Sequence, residues 1–232
     1  MTPERFARIT EMLSHRQPDL TLCLDQVHKK NNIAAVVRTA DAVGIHEVHA
    51  VWPDVDMRVS GNTASGSQQW VNTVKHHQLD TALKHFKQQN MQIVVTNFSD
   101  DAVDFRDIDY TKPTAIFVGH ERDGVSKEAI AQADHQVIIP MVGMVQSLNV
   151  SVATGLVLFE AQRQRQAAGM YGKCKLPEDY IQKMLFEQGH SVYAKACRKK
   201  GIGYPKIDKL GQIDAPESWW QALRETPDLE IN

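Results

Sequence analysis

The 232-residue sequence is poor in cysteine and has no long apolar run. Its three cysteines, Cys23, Cys174 and Cys197, are scattered and form no Cys-x-x-Cys pair. Neither a disulfide framework nor a cysteine-based zinc site is therefore expected, and the cytoplasm is the predicted compartment. A run of about 18 apolar residues, which a transmembrane helix needs, is also missing. The charged N-terminal segment does not resemble a signal peptide.

Two common phosphate-binding fingerprints are missing as well. No Gly-x-Gly-x-x-Gly follows the first predicted strand, which argues against the usual Rossmann dinucleotide site. No P-loop motif is present, which argues against phosphoryl transfer of that kind. The string His46-Glu47-Val48-His49 lacks the His-Glu-x-x-His spacing of zinc proteases, and its two histidines should point to opposite faces of a strand. We therefore expect no metal site.

The net charge of −2 excludes a globally basic nucleic-acid binder, but the charges are unevenly distributed. Basic residues concentrate in the first 16 residues and between residues 163 and 200, whereas acidic residues concentrate between residues 100 and 109. Two basic ends around a neutral-to-acidic centre are typical of a surface that follows RNA phosphates. Ordinary solvated helix faces explain the charges equally well. The composition, 42% hydrophobic and 23% charged, is that of a globular protein with a substantial core.

Apolar periodicity predicts strands that alternate with helices. The predicted strands cover residues 20–27, 47–52, 92–96, 115–118 and 136–140. The predicted helices cover residues 3–16, 32–43, 79–89, 128–133 and 148–160, and residues 54–68 form a predicted loop. This alternation indicates an α/β fold with a mostly parallel sheet flanked by helices. Because the last of these helices is apolar nearly all round, we expect it to be buried.

The chain divides into three predicted parts. Residues 1–19 form an N-terminal basic helix, and residues 20–169 form the α/β domain. The composition of residues 170–232 shifts toward lysine and glycine, and then toward aromatic residues at Trp219 and Trp220. We interpret this last part as a C-terminal helical extension that packs on the body of the protein.

The segment Val137–Ala153, VIIPMVGMVQSLNVSVA, is the most informative part of the sequence. A short apolar run leads into a turn of small and polar residues, and a second apolar segment follows. Core packing alone explains such a turn poorly. Ligands of open α/β sheets bind at the carboxyl ends of the strands, where this turn should lie. We therefore predict a ligand-binding loop.

Two residues of the first helix after the first strand have a structural explanation beside a functional one. Asn32 is the predicted N-cap of that helix, and capping alone would explain an asparagine there. Arg38 precedes Asp41 by three residues, so a surface ion pair is the simplest explanation for it.

Three polar residues in the second half of the chain have similar alternatives. Glu121 follows a predicted strand, and it is either a solvated loop acid or a partner of Arg122. Ser147 is a candidate cap of the next helix. Asn149 is harder to explain structurally, because it is predicted in the first turn of a buried helix. A buried amide there needs partners and suits ligand recognition.

Three segments together resemble a known family. NNIAAVVRTADAVGI, IFVGHERDGVS and VIIPMVGMVQSLNVSVA resemble, in order and spacing, the three motifs of the SpoU branch of the SPOUT RNA methyltransferases. The flanking segments QPDLTLCLDQVH, HEVHAVWP, AVDFRDIDYT and EAQRQRQAAGMY resemble the TrmH subfamily, whose members methylate the ribose of guanosine 18 in the tRNA D-loop. The resemblance covers nearly the whole chain.

The resemblance implies a SPOUT fold with a deep C-terminal trefoil knot, S-adenosyl-L-methionine as cofactor, tRNA as substrate, and a homodimer with its active site at the subunit interface. No membrane or DNA partner is expected. The implied catalytic residues are Asn32, Arg38, Glu121, Ser147 and Asn149. The implied cofactor-binding residues are Thr96, Asn97, Gly119, Ile139, Met141, Met144 and Leu148. The arginines expected to bind RNA phosphates are Arg5, Arg8, Arg16, Arg163 and Arg165.

The family pattern gives Arg38 a part in removing the proton of the ribose 2′-hydroxyl. A guanidinium group is a very poor base, because it stays protonated in proteins. We therefore expect Arg38 to act mainly as an electrostatic stabiliser of the developing alkoxide and the neighbouring phosphate.

Other functions remain open at this point. A related SpoU-type enzyme could methylate ribosomal RNA, although only 19 residues precede the first predicted strand, which favours the compact tRNA type. A non-catalytic RNA-binding protein of the same fold is disfavoured because all five motif residues are present. An unrelated doubly wound enzyme is disfavoured by the missing glycine fingerprint and catalytic-triad spacing.

Overall fold

A computed structural model describes residues 1–52, 66–120 and 122–229 of the chain. The chain folds into two compact units, residues 17–171 and residues 1–16 with 172–232. The division into three domains that the sequence indicates stays a prediction. Most of the predicted loop 54–68 lies outside the described residues. Within the described ranges, no helix is both long and apolar enough to cross a membrane.

A seven-stranded sheet forms the centre of the larger unit, and all of its neighbouring strands are parallel. Its strands are β1 (Leu20–Asp25), β2 (Glu47–Val51), β3 (Asn72–His76), β4 (Gln92–Thr96), β5 (Val103–Asp104), β6 (Thr114–Val118) and β7 (His135–Ile138). Their order across the sheet is β3-β2-β1-β6-β4-β7-β5. The predicted α/β class with a mostly parallel sheet is confirmed.

Position in the sheet explains which strands the sequence predicts. Central β1, LTLCLD, is buried at every residue, so its sequence is apolar without alternation. The two edge strands, β3 and β5, were not predicted. β3 is the half-exposed segment NTVKH, and β5 has only two residues, so neither carries an apolar run of its own.

The described helices are α1 (Pro3–Ser14), α2 (Lys30–Ala42), α3 (Leu79–Gln88), α4 (Lys127–Ala131), α5 (Val150–Ala167), α6 (Glu178–Gly189), α7 (Ser191–Lys200) and α8 (Glu217–Glu225). Helix α5 differs from its prediction in burial. Val152, Leu156 and Phe159 are 51%, 43% and 52% exposed. The expectation that this helix is buried all round is therefore wrong, because one apolar stripe faces outward.

The smaller unit combines α1, α6, α7 and α8 with a two-stranded antiparallel pair, β8 (Lys206–Ile207) and β9 (Ile213–Asp214). The buried ring of Phe186 lies at its centre. Its centroid is 4.7 Å from that of Tyr204 and 6.3 Å from that of Trp219. Aromatic packing of this kind explains why the C-terminal part of the chain is rich in large rings.

All three cysteines are free thiols. Cys23 and Cys197 are buried, one in each unit, whereas Cys174 is exposed in the smaller unit. Burial raises the pKa of the Cys23 thiol well above its usual value, and burial also raises the pKa of Cys197.

Candidate active site

A cleft of about 400 Å³ lies at the carboxyl ends of β4, β6 and β7, which are neighbours in the sheet. Thr96 ends β4, Gly119 follows β6 and Ile139 follows β7, and all three residues line the cleft. Open α/β sheets bind their ligands at this edge. The volume lies within the range of roughly 300–1,000 Å³ that is usual for small-molecule sites.

The loop after β6 requires glycine at its first position. A methyl group added to Gly119 would lie 2.0 Å from the carbonyl carbon of Gly124 and 2.2 Å from the backbone nitrogen of Val125. His120 and Gly124 exchange two backbone hydrogen bonds of 2.9 Å each, which close the turn. The chain therefore presents bare backbone to the cleft at this point.

The end of β4 supplies a second wall. The hydroxyl group of Thr96 donates a hydrogen bond to the carbonyl of Phe117 at 3.2 Å, and the Asn97 amide donates one to Oε1 of Gln136 at 2.8 Å. Both side chains are thus held in place by neighbouring strands. Phe98 also lines the cleft and is 79% exposed. Sequence analysis missed it, although an aromatic residue two positions after a strand end was the available signal.

The predicted ligand-binding loop forms the third wall. Ile139, Met141 and Leu148 line the cleft and give this wall an apolar character, and Ser147 lies beside them. Met144 is 99% exposed and does not line the cleft. The structure therefore brings together six of the seven predicted cofactor-binding residues, and Met144 is the exception.

Two predicted catalytic amides meet at the start of α5. Nδ2 of Asn149 donates a hydrogen bond to Oδ1 of Asn32 at 3.3 Å, while Oδ1 of Asn149 accepts one from the backbone of Ser151 at 2.9 Å. Asn149 is therefore the N-cap of α5 and is exposed, so its predicted burial in the first turn is wrong, and so is the capping alternative for Ser147. The N-cap of α2 is Lys29, so the capping alternative for Asn32 is wrong as well.

Arg38 is another of the predicted catalytic residues, and it belongs to α2. Its side chain is exposed on α2 and does not line the cleft. Among residues 1–52, 66–120 and 122–229 it forms no hydrogen bond or ion pair, so the alternative of a pair with Asp41 is not realised. Glu121, the remaining predicted catalytic residue, lies outside the described residues.

Three of the five predicted RNA-binding arginines have exposed guanidinium groups. Arg5 donates to a backbone carbonyl at 2.7 and 3.0 Å. Arg8, 82% exposed, pairs with Glu11 at 3.2 Å, and Arg163, 67% exposed, pairs with Glu160 at 2.7 Å. Exposed pairs of this kind are weak, so these arginines remain available to phosphates.

The other two arginines are buried, and their predicted role in RNA binding is wrong. Arg165 is 0% exposed, and each of its five N–H groups has a hydrogen-bond acceptor at 2.7 to 3.0 Å. The acceptors are the carbonyls of Asp19, Tyr110 and Lys112 and the side chains of Gln17 and Asp19. Arg16 is 1% exposed, and its Nε contacts the Met12 sulfur at 3.1 Å. A buried guanidinium group cannot reach an RNA phosphate.

Charged residues that the sequence analysis did not assign lie on the rim of the cleft. Nε of Arg122 donates to Asp123 at 3.0 Å, and Nδ1 of His120 is 3.1 Å from the second oxygen of the same carboxylate. All three residues line the cleft. The hydrogen bond from Arg122 holds the pKa of the Asp123 carboxyl group below its usual value. The run of charges in GHERDG was the signal for this rim.

Two family models match the sequence. The model of the SpoU rRNA Methylase family matches residues 19–159, and that of the SpoU rRNA methylase C-terminal region matches residues 163–216. The first match alone covers more than half of the chain. The chain belongs to the SpoU methylase family.

Similarity to characterised SpoU methylases extends over nearly the whole chain. The tRNA (guanosine(18)-2′-O)-methyltransferase of Escherichia coli strain K12 is 54% identical over 226 residues, which cover 97% of this chain and 99% of that enzyme. In the structural comparison, the Aquifex aeolicus TrmH/SpoU tRNA modifying enzyme has a TM-score of 0.75 and 43% identity, with coverage of 82% and 96%.

A second structural neighbour contains a cofactor. The SpoU methyltransferase AviRb from Streptomyces viridochromogenes, in complex with AdoMet, has a TM-score of 0.60 and 28% identity, with coverage of 66% and 62%. The predicted family and the predicted cofactor, S-adenosylmethionine, are confirmed. The trefoil knot stays a prediction.

Proposed function

We propose that this SpoU methylase transfers a methyl group from S-adenosylmethionine to the ribose 2′-hydroxyl of guanosine 18 in tRNA. The observation that carries this proposal is the 54% identity, over 97% of the chain, to an enzyme named for that reaction. The cleft at the strand ends supports the proposal, because its volume is in the range of small-molecule sites. The fold alone would not identify the substrate, because one fold hosts many activities.

The composition of the cleft walls fits the cofactor. Backbone at Gly119 and at the end of β4 offers hydrogen-bonding groups, while Ile139, Met141 and Leu148 offer apolar contact for a nucleoside. When bound, S-adenosylmethionine supplies an electrophilic methyl group on a sulfonium. The protein then has to align the ribose with that group and to stabilise the charge that develops on its oxygen.

Arg38 suits charge stabilisation better than proton removal. A guanidinium group keeps its proton but presents a planar fork of donors that matches a phosphate or an alkoxide. Because Arg38 is exposed and unpaired among the described residues, its donors are available to RNA. The linked amides of Asn32 and Asn149, with Ser147 at the cleft wall, orient the ribose.

We also propose that two copies of the chain associate through α5. Val152, Leu156 and Phe159 are spaced by four and three residues, so they share one face of the helix. A row of exposed apolar side chains next to a binding cleft is typical of an interface. Arg38 does not reach the cleft of its own chain, and α2 packs against α5. If two copies meet at α5, the neighbouring α2 of each copy lies beside the interface. We propose that Arg38 of one copy then serves the cleft of the other.

The test of the reaction uses methyl-labelled S-adenosylmethionine and an unmodified tRNA transcript, beside a transcript with adenosine in place of guanosine 18. We expect label in the first transcript and none in the second. Label in both transcripts would keep the methyltransferase but reject the position. Label in neither transcript, with cofactor still bound, would reject tRNA as the substrate.

The role of Arg38 is tested by R38K, because lysine keeps the charge and loses the planar fork. We expect turnover to fall at least tenfold while cofactor affinity stays unchanged. The control R224K changes an exposed arginine of α8 that pairs with Glu217 at 2.6 Å, and it should have normal turnover. Normal turnover in R38K would show that a point charge suffices.

The proposed dimer is tested by L156E, which places a charge in the apolar row. Sedimentation should show a monomer with much reduced methyl transfer. V192E is the control, because Val192 is a 77% exposed apolar residue of α7 in the other unit, and it should stay dimeric. An L156E protein that is still dimeric would place the interface elsewhere.

A further inference from the structure

A second group of chemically versatile side chains lies on the face of the sheet that carries α3, away from the cofactor cleft. Glu47 and His49 project from the same face of β2 because they are two residues apart. His85 of α3 joins them, and one donor atom of each residue lies within 4.8 Å of the other two. None of these three residues lines the cleft. The proposed methyl transfer leaves them without a role.

The side chains of this group are already oriented by other partners. Nδ1 of His49 is 2.9 Å from Nε2 of His76, so Nε2 of His49 remains for a metal ion. Oε2 of Glu47 lies 3.9 Å from this Nε2. The other carboxylate oxygen of Glu47 accepts a hydrogen bond of 3.4 Å from Asn72. Supporting contacts of this type fix the rings and carboxylates that bind metal ions.

The imidazole of His49 is buried and packs closely against two other imidazoles. His49 is 2% exposed, and its ring centroid is 4.9 Å from that of His85 and 5.2 Å from that of His76. These close ring contacts hold the imidazoles of His49 and His85 side by side next to Glu47.

We propose that Glu47, His49 and His85 bind one divalent ion of the zinc class, with water at the fourth position. Two imidazoles and one carboxylate form a donor set that zinc accepts in three-ligand sites. Bonds of about 2.0–2.2 Å in a tetrahedral centre place the donors roughly 3.4 Å apart, so the donor atoms must approach one another by up to about 1.4 Å on binding. The bound ion would join α3 to β2.

This site differs from the zinc-protease pattern that the sequence analysis rejected. The string HEVH contributes Glu47 and His49 rather than its two histidines, and the second imidazole comes from a helix that is distant in sequence. His46 is not part of the donor set. Because side chains alternate between the two faces of a strand, His46 and His49 point to opposite faces, whereas Glu47 and His49 share one face.

The experiment is calorimetric titration of the untagged, metal-free full chain with Zn²⁺, in a C174S background that removes the exposed thiol. We expect one ion per chain and a melting temperature about 5 to 10 °C higher when Zn²⁺ exceeds its Kd a hundredfold. Mg²⁺ at the same concentration should have no effect, because it prefers oxygen ligands. Co²⁺ should give the visible absorption of a four-coordinate site.

Two variants decide whether the proposed residues are the ligands. H85N and E47Q each replace a half-buried ligand with a side chain of similar size, and each should weaken Zn²⁺ binding at least tenfold. H135N changes an exposed histidine of β7 outside the cluster and should bind Zn²⁺ normally. Circular dichroism verifies that all variants are folded. A wild-type protein that does not bind Zn²⁺, or unchanged binding in H85N and E47Q, would overturn the proposal.

Discussion

Replacing Arg165 by methionine tests the structural role of this buried arginine most directly. Methionine keeps the apolar stem of the side chain but removes all five hydrogen-bond donors. The carboxylate of Asp19, 28% exposed, then loses the guanidinium group at 2.7 Å, and the carbonyls of Tyr110 and Lys112 each lose one hydrogen bond. Removing one partner of a buried ion pair costs about 3–5 kcal/mol.

The stability loss converts into a measurable temperature change. For a chain of this size each kcal/mol lowers the melting temperature by about 2–4 °C, so a loss of about 4 kcal/mol corresponds to about 8–16 °C. The assay is thermal unfolding followed by circular dichroism. Because Arg165 does not reach the surface, folded R165M should keep the wild-type salt dependence of tRNA binding.

The matched control lies two residues earlier on the same helix. Arg163 is 67% exposed and pairs with Glu160, and an exposed pair is worth about 0–1 kcal/mol. R163M should therefore melt within a few degrees of the wild type, and the slope of log K against log salt should fall by roughly one phosphate contact. A stable R165M protein with a reduced salt slope would refute this reasoning.

Three further predictions concern the active-site region and its surroundings. G119A would force a methyl group to within 2.0 Å of the Gly124 backbone. We therefore expect calorimetry to show loss of S-adenosylmethionine binding, and a normal affinity would contradict the described turn. N149A removes the α5 cap, which should cost about 1 kcal/mol in urea unfolding, whereas N149D should keep that stability and still lower methyl transfer. The Arg106 hydrogen bonds lower the pKa of Asp104 from 3.8 to about 2. This pair therefore stabilises the fold above about pH 4, and the stabilisation is lost as the pH falls toward 2. R106Q should raise the pKa of Asp104 in an NMR titration.

The fold was predictable where a segment carries its own signal. β4 was predicted with its observed bounds, and β1 and α3 to within two residues, because buried strands and amphipathic helices show their periodicity locally. Edge strand β3 has no such signal. The burial of Arg165 was not predictable either, because the stretch QRQRQ has the polar pattern of an exposed helix. The acceptors that bury its charge come from distant segments.

The candidate site was predictable at the strand ends and less so elsewhere. Carboxyl ends of neighbouring parallel strands converge, so residues such as Thr96 and Gly119 had to meet. The outward orientation of Met144 depends on the loop backbone, which the sequence does not specify. The zinc-class donor set depends on the packing of α3 against β2, which brings His85 to His49.

The distribution of the three thiols has a practical consequence for measuring the proposed binding of tRNA. Thiol reagents need an accessible thiolate, and only Cys174 is exposed, whereas Cys23 and Cys197 are buried with raised pKa values. A maleimide dye should therefore attach at one position of the unmutated protein. That position lies in the unit that carries Arg5 and Arg8, so a donor dye there and an acceptor dye on a tRNA would report directly on whether the proposed substrate approaches this unit.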